Sequence, residues 1–542
     1  MAEPWWKRAV VYHVYVRSLQ DTDGDGVGDL EGVEQRLDYF AWLGVDVIWL
    51  SPIYPSPLAD FGYDVSDHCD IDPGLGALED FDRLIAAAHA RGLRLILDFV
   101  PNHTSDRHPW FLESRASRAS HKRDWFIWRD PAPDGGPPNN WRSNFGGSSW
   151  QWDATTGQYY LHAFLKQQPD LNWRNPQVRE AMFDVLRFWL ERGVDGFRID
   201  VLWHIVKAES LADNPPNPAW RAPMGDEHRL LQHNSTDQPE AHDIAAGMRR
   251  LVEQYPGERL LIGEIYLPVE RLVRYYGPAE APEVHLPFNF QLIGAPWDAR
   301  VLHRLIADYE AVLPPGAWPN WVLGNHDRPR IAARVGEAQA RVAAMLLLTL
   351  RGVPTLYYGD ELGIGRVDIP ADRVVDPWEL NEPGRGLGRD PVRTPMAWDD
   401  GPHAGFSRAD PWLPLHGDWP TRNVARQAAT AGSMLDLYRH LLALRRAHDC
   451  LSVGDLRLLA PHPHILAYTR GLGDAELLIA LNLSATAQPL ALPDWARGGD
   501  VIASTLGDAP GPAAHALALR PDEGVIVTGP RGERRGRPEV RR

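Results

Sequence analysis

Cysteine is nearly absent: the 542-residue chain has two, Cys69 and Cys450. Two thiols so far apart, with no CxxC pair, make neither a disulfide framework nor a thiolate metal site, and they fit a reducing compartment. Long apolar runs are missing too. The longest candidate, VAAMLLLTL at 342–350, falls well short of the roughly 18 consecutive apolar residues of a membrane span. The opening MAEPWWKRAVVYHVYVRS lacks the apolar stretch of a signal peptide. A cytoplasmic protein without a membrane partner is therefore expected. There is no excess of positive charge: the formal net charge is −16, which repels phosphates and excludes a nucleic-acid partner. No GxGxxG follows the first apolar strand, which weighs against a dinucleotide-binding sheet.

An apolar fraction of 44% and a charged fraction of 24% are those of a globular protein. One order of elements recurs: an amphipathic helix, a glycine, then a short apolar strand with a polar residue at its end. In NPQVREAMFDVLRFWLERG, at 175–193, Val178, Met182, Val185, Leu186 and Trp189 share a helical face, and Gly193 suits the left-handed C-terminal position. VDGFRIDVL follows. The same order gives EGVEQRLDYFAWLG then VDVIWL, and LEDFDRLIAAAHARG then LRLILDFV. Near-continuously apolar strands between helices predict a parallel sheet covered by helices, and this length of alternation suits an eight-stranded (β/α)8 barrel. The barrel is expected over 1–103 and 175–445, interrupted by an inserted subdomain at 104–174. An antiparallel β domain is expected at 446–530, with a disordered basic tail from 531. The 22 tryptophans are many, and those in NNWRSNFGGSSWQWD at 139–153 suggest a cleft for flat, apolar sugar faces.

The strand ends carry the chemistry. LILDFVPNH ends in Asp98, Asn102 and His103; GFRID in Arg198 and Asp200; LLIGEI in Glu264; VLGNHD in Asn325, His326 and Asp327. In a barrel these ends share one mouth, so Asp200, Glu264 and Asp327 converge. Crowded like charges are costly unless chemistry uses them. Two carboxylates flanking a bond are what glycoside hydrolysis requires, one attacking and one giving a proton. Arg198 shares a strand face with Asp200 and should hold it ionised as nucleophile. Glu264, between Ile262 and Tyr266 on its face, should keep its proton and act as the acid.

DFVPNH, GFRIDV, GEIY and GNHD, in this order, resemble the four signature regions of the α-amylase family of glycoside hydrolases. QPDLNW at 168–173, VDVIWLSPIYPSP and VPTLYYGDELG resemble its further signatures. The resemblance covers roughly residues 5–400 and implies a barrel with an inserted domain and a C-terminal β-sandwich. It implies a retaining mechanism with Asp200 as nucleophile, Glu264 as acid/base and Asp327 as the third carboxylate. His103 and His326 would bond the terminal sugar, Arg198 would orient Asp200, and Tyr63 would stack on the ring. FGYDVSD and RDPVRTPMAWDD resemble the exo-acting branch of oligo-1,6-glucosidases, α-glucosidases and sucrose isomerases. There Asp60 pairs with an arginine, Arg389 in preference to Arg393, to close the pocket around one glucose. Val201 resembles α-1,6-cutting members of that branch, whereas α-1,4-preferring ones more often have alanine.

DTDGDGVGD at 21–29 sets Asp21, Asp23, Asp25 and Asp29 around three glycines, and hard oxygen ligands on such a loop suit Ca²⁺ or Mg²⁺. Gly32 stands where an EF-hand needs its bidentate glutamate, so that motif is rejected. The resemblance implies one structural cation here, with the Val27 carbonyl as a further ligand, and no organic cofactor. The expected protein is thus a monomeric or homodimeric α-glucosidase of short α-glucosides. A transglucosylase or isomerase using the same carboxylates is the alternative. A non-catalytic barrel like the ectodomains of amino-acid transporter heavy chains is disfavoured, because all three carboxylates are present.

Overall fold

The computed structural model describes residues 3–221, 224–508, 511, 513 and 515–530; the expected tail from 531 lies outside them. Eight parallel strands close a barrel: β1 (Val11–Val14), β2 (Val47–Leu50), β3 (Arg94–Phe99), β4 (Gly196–Ile199), β5 (Leu260–Gly263), β6 (Leu286–Asn289), β7 (Asn320–Val322) and β8 (Val353–Tyr357). Neighbours in space are neighbours in sequence, and β8 returns to pair with β1. The helix expected at 175–193 spans Pro176–Glu191. It is opened by the Asn175 side chain, which accepts from the Gln177 N–H, and by proline in its first turn. Gly193 ends it at φ +98°.

Alternation along each strand divides the apolar residues into two layers. Val47 and Trp49 of β2, Ile96 of β3, Leu260 and Ile262 of β5 and Leu286 and Phe288 of β6 fill the barrel. Their neighbours Ile48, Leu50, Leu95, Leu97, Phe197, Ile199 and Leu261 face outward into the larger core shared with the helices. Gly196 is required by the close approach of β4 to β5: a Cβ there would lie 2.0 Å from the Leu260 carbonyl oxygen.

Between β3 and the helix at 176–191, a helix (Pro109–Ala116) and a three-stranded antiparallel sheet (Trp128–Arg129, Trp150–Asp153, Gln158–Leu161) form the inserted region. At the C-terminus, a five-stranded antiparallel sheet and the pair Gln488–Ala491/Ala516–Leu519 make the β domain. Its first strand starts at Asp455 rather than near 446. Residues up to Val453 complete the helices Met434–Ala447 and Asp449–Val453, because Leu441, Leu442, Cys450 and Leu451 keep a helical spacing and are buried. Among the described residues, no helix is long and apolar enough to cross a membrane.

Candidate active site

The inward register that buries Ile96 and Ile262 also carries Asp98 inward on β3, Arg198 on β4 and, one step beyond the strands, Asp200 and Glu264. Asp98 lies directly beside Arg198 in the β3–β4 ladder. One guanidinium, 1% exposed, holds all three acids. Arg198 Nη1 donates to Asp98 Oδ1 at 2.7 Å and to Asp200 Oδ1 at 2.6 Å, while Nη2 lies 2.6 Å from Glu264 Oε2. This corrects the basis on which the roles were separated in the sequence: Arg198 does not single out Asp200, and Glu264 is not left to apolar neighbours. The two carboxylates sit at the two ends of one planar group, a few ångströms apart. Glu264 Oε2 also accepts the Val201 N–H at 2.9 Å.

Burial pushes the pKa of Asp200 well up and that of Glu264 up, and Arg198 pulls both back. The charges of Glu264 and Asp98 add to the rise at Asp200, and that of Asp327 adds to the rise at Glu264. The two carboxylates therefore ionise interdependently around one guanidinium. Asp327, beyond β7, behaves oppositely. Burial would raise it, but the Arg389 and Arg393 guanidiniums overcome that and hold it well below the usual carboxylate range. Arg393 Nη2 is 2.9 Å from Asp327 Oδ1, and Arg389 Nη1 is 3.3 Å from it.

These groups line a cavity of about 450 Å³. Asp60, Tyr63, His103, His326 and Arg389 line it as well; Arg198 lies beneath its floor. Arg389 is the arginine that meets Asp60, at 2.6 Å, while Arg393 turns to the His326 carbonyl and Asp327. The Tyr63 ring stacks on His326, with centroids 5.3 Å apart, and its hydroxyl donates to Asp98 at 2.9 Å. His103 and His326 are buried and held neutral by desolvation, His103 with its pKa down to about 4.

Several participants were given no role by the sequence. Asp376 fixes the backbone and side chain of Arg389, and Gln168 reaches Asp60 at 3.2 Å. Phe145, Phe164, Trp203, Tyr266 and Trp378 supply the apolar wall. The tryptophans of 139–153 do not: Trp141 and Trp150 pack on Leu161 inside the inserted region, so only Asn144 and Phe145 of that stretch reach the cavity. Val201 has φ +38° and ψ 45°, a left-handed backbone that a β-branched residue adopts only under strain. That strained turn is what presents its N–H to Glu264.

In the loop at 21–29, Asp21, Asp23 and Asp29 bring carboxylate oxygens within 4.8 Å of one another. Asp25 is outside that group; its Oδ1 instead accepts the Val27 N–H at 2.7 Å. Asp29 caps the following helix by accepting the Gly32 N–H, and Asp21 accepts from Gly24 and Gly26.

A (β/α)8 barrel with acidic strand ends gathered around a closed pocket defines a sugar-cleaving class of protein. Residues 13–454 match the α-amylase catalytic domain and residues 453–526 a domain family of unknown function. The chain belongs to the α-amylase family, and it is a glycoside hydrolase. It is 38% identical over 531 residues to an oligo-1,6-glucosidase of Heyndrickxia coagulans, covering 90% of this chain and 94% of that one. The fold is shared with an α-glucosyl transfer enzyme (TM-score 0.91, 38% identity, 97% of this chain and 100% of that one). It is shared also with an isomaltulose synthase from Erwinia rhapontici (TM-score 0.89, 33% identity, 98% and 100%).

Proposed function

We propose that the protein is a retaining, exo-acting α-glucosidase of short α-glucosides. One observation carries this reading: a single buried guanidinium holds Asp200 and Glu264 together at a cavity lined also by the paired Asp60 and Arg389. A double displacement needs its two carboxyl groups close together, about 5 Å apart, and here both bond the same guanidinium. An Asp200 carboxylate oxygen attacks the anomeric carbon of the terminal glucose. The glycosidic bond breaks as Glu264 gives its proton to the departing oxygen. Glu264, now ionised, takes a proton from water, whose oxygen attacks the same carbon and frees Asp200 and glucose. Asp327, always charged, accepts hydrogen bonds from ring hydroxyls, and the Asp60–Arg389 pair admits one ring, so glucose is the product. Incubation with maltose, isomaltose, trehalose and sucrose, read by mass spectrometry and early-time NMR, tests this. The expected result is glucose released first as the α-anomer. First release of β-glucose, or no cleavage of any of the four, overturns it.

A second reading is transglucosylation or isomerisation, in which a sugar hydroxyl replaces water at the second step. The likeness to the glucosyl transfer enzyme and the isomaltulose synthase favours it. Products heavier than substrate, or an isomer of sucrose, distinguish it in the same experiment.

We also propose one structural Ca²⁺ or Mg²⁺ at Asp21, Asp23 and Asp29. Three carboxylates within one ion's reach repel unless a cation joins them, and oxygen donors suit a hard one. The cation would fasten the loop and takes no part in the reaction.

A further inference from the structure

Lys207 is 2% exposed, lies in the segment that leaves β4, and has no place in the double displacement. Its Nζ lies 2.6 Å from Asp170 Oδ2, in the returning end of the inserted region, and donates to Asn102 Oδ1, just past β3, at 2.7 Å. One ammonium therefore ties together three segments that border the cavity.

The donors and acceptors favour one arrangement, which satisfies two of the three polar contacts of the His103 ring. An ammonium only donates, so the atom of Asn102 facing it is the carbonyl oxygen. The amide nitrogen then faces the other way and donates to Asp170 Oδ1 at 3.1 Å and to His103 Nδ1 at 3.1 Å. His103 Nδ1 must accept, so the ring proton sits on Nε2. That nitrogen lies 3.1 Å from the Tyr63 carbonyl, which can only accept. Gln168 Nε2 is equally near, but the Gln168 Oε1 is held by the Leu165 N–H, so that nitrogen too is a donor; it bonds Asp60 and opposes the Nε2 proton of His103. The other ionisable groups acting on His103 include Asp170, Lys207 itself, His68 and His204.

We propose that Lys207 is a positioning residue that, through Asn102, fixes His103 as the neutral tautomer protonated at Nε2. His103 then meets the cavity with a fixed hydrogen-bonding pattern, its Nε2–H held by the Tyr63 carbonyl. Only the kinetic arm below rests on the α-glucosidase reading; the tautomer is a property of the free protein.

Asn102→Asp tests this most directly. It is nearly isosteric and keeps the bond to Lys207, but it turns an acceptor toward Nδ1. Long-range ¹H–¹⁵N spectra of histidine-labelled protein, with His103→Gln to assign the resonance, should show Nε2–H in the native chain and Nδ1–H, or a doubly protonated ring, in Asn102→Asp. Lys207→Met leaves Asp170 unpaired and can unfold the chain, so Lys207→Met/Asp170→Asn is made beside it. In whichever folds, His103 should show mixed tautomers. For the wild type no titration of His103 is expected between pH 5 and 8. KM for a disaccharide should rise roughly fivefold to tenfold in folded variants, with kcat changed less. A native His103 protonated at Nδ1, or one whose spectrum is the same in all three variants, overturns the proposal. Absence of glycoside cleavage by the wild type would sink the functional reading and leave the spectroscopic result standing.

Discussion

Two places in this molecule gather three acidic side chains, and they are neutralised in different ways. At the barrel mouth Asp200 and Glu264 are buried, Asp327 is half-buried, and the three share Arg198, Arg389 and Arg393. In the loop at 21–29, Asp21, Asp23 and Asp29 lean on backbone N–H groups and the hydroxyls of Thr22 and Ser407. Fixed guanidinium charges leave the mouth acids able to attack or to hold a proton. Backbone donors shape the loop but do not cancel its charge, so it fits a cation. The first cluster is read as chemistry and the second as support, and each can be broken separately.

The largest effect is expected at the mouth. Asp200→Asn and Glu264→Gln should each lower kcat on good disaccharides by about 10⁴-fold or more, measured as glucose release. Stability should move the other way. Glu264 has a raised pKa in the folded chain, chiefly from burial. Below about pH 4, its ordinary value, it is protonated folded or unfolded and costs nothing. As pH rises from there toward the raised folded value, the unfolded chain gives up its proton first and stability falls. Glu264→Gln should therefore melt higher than wild type at pH 7 and level with it near pH 4. Equal melting at both values would remove the idea that this acid is held against its preference.

Next in size is the pocket's closed end. Arg389→Lys keeps a charge but loses the fork that reaches Asp60, Asp376 and Asp327 together. A fall of about 10²-fold in kcat/KM on disaccharides is expected, with less loss on longer chains. An equal fall at every chain length would show that the pair does not close the pocket.

The loop should give the reverse of the mouth. Asp23→Asn keeps the Oδ1 acceptor for the Asp25 N–H and removes only charge. With Ca²⁺ present it should lower the melting midpoint by roughly 2–4 °C, while kcat per folded molecule is unchanged. After chelation the variant should melt level with wild type or slightly higher, since one of three repelling charges is gone. If elemental analysis of the purified chain finds no divalent cation, the loop is a plain turn and the contrast between the clusters disappears.

These differences track what the sequence could reveal. Barrel strands were legible because an apolar run ending in Asp98, Asp200, Glu264 or Asp327 is unlike a surface strand. The pairing of Asp60 with an arginine was legible from a resemblance, and it was Arg389 that the structure placed there. Arg198's threefold grip was not, since it depends on the register of β3, β4 and β5 rather than on any one of them. Asp376 was invisible for the same reason. Tryptophan misled at 139–153: its composition fits a sugar platform and a small core equally well, and Trp141 and Trp150 built the core.

The smallest expected effect lies at Val201, where the two kinds of reading meet. Its side chain lines the cavity directly after Asp200, and its backbone is held at positive φ. Alanine would relieve part of a strain of about 1–3 kcal/mol and open the space of two methyl groups beside the reacting carbon. A methylene-scale change in a pocket shifts preference between substrates by about 10-fold. Val201→Ala should thus lower the ratio of kcat/KM for isomaltose over maltose by that amount, with the N–H to Glu264 retained. If both rates drop together instead, the strained turn acts through Glu264 rather than through the shape of the pocket, and the linkage choice must be sought among Tyr266, Arg328 and Trp378 on the opposite wall.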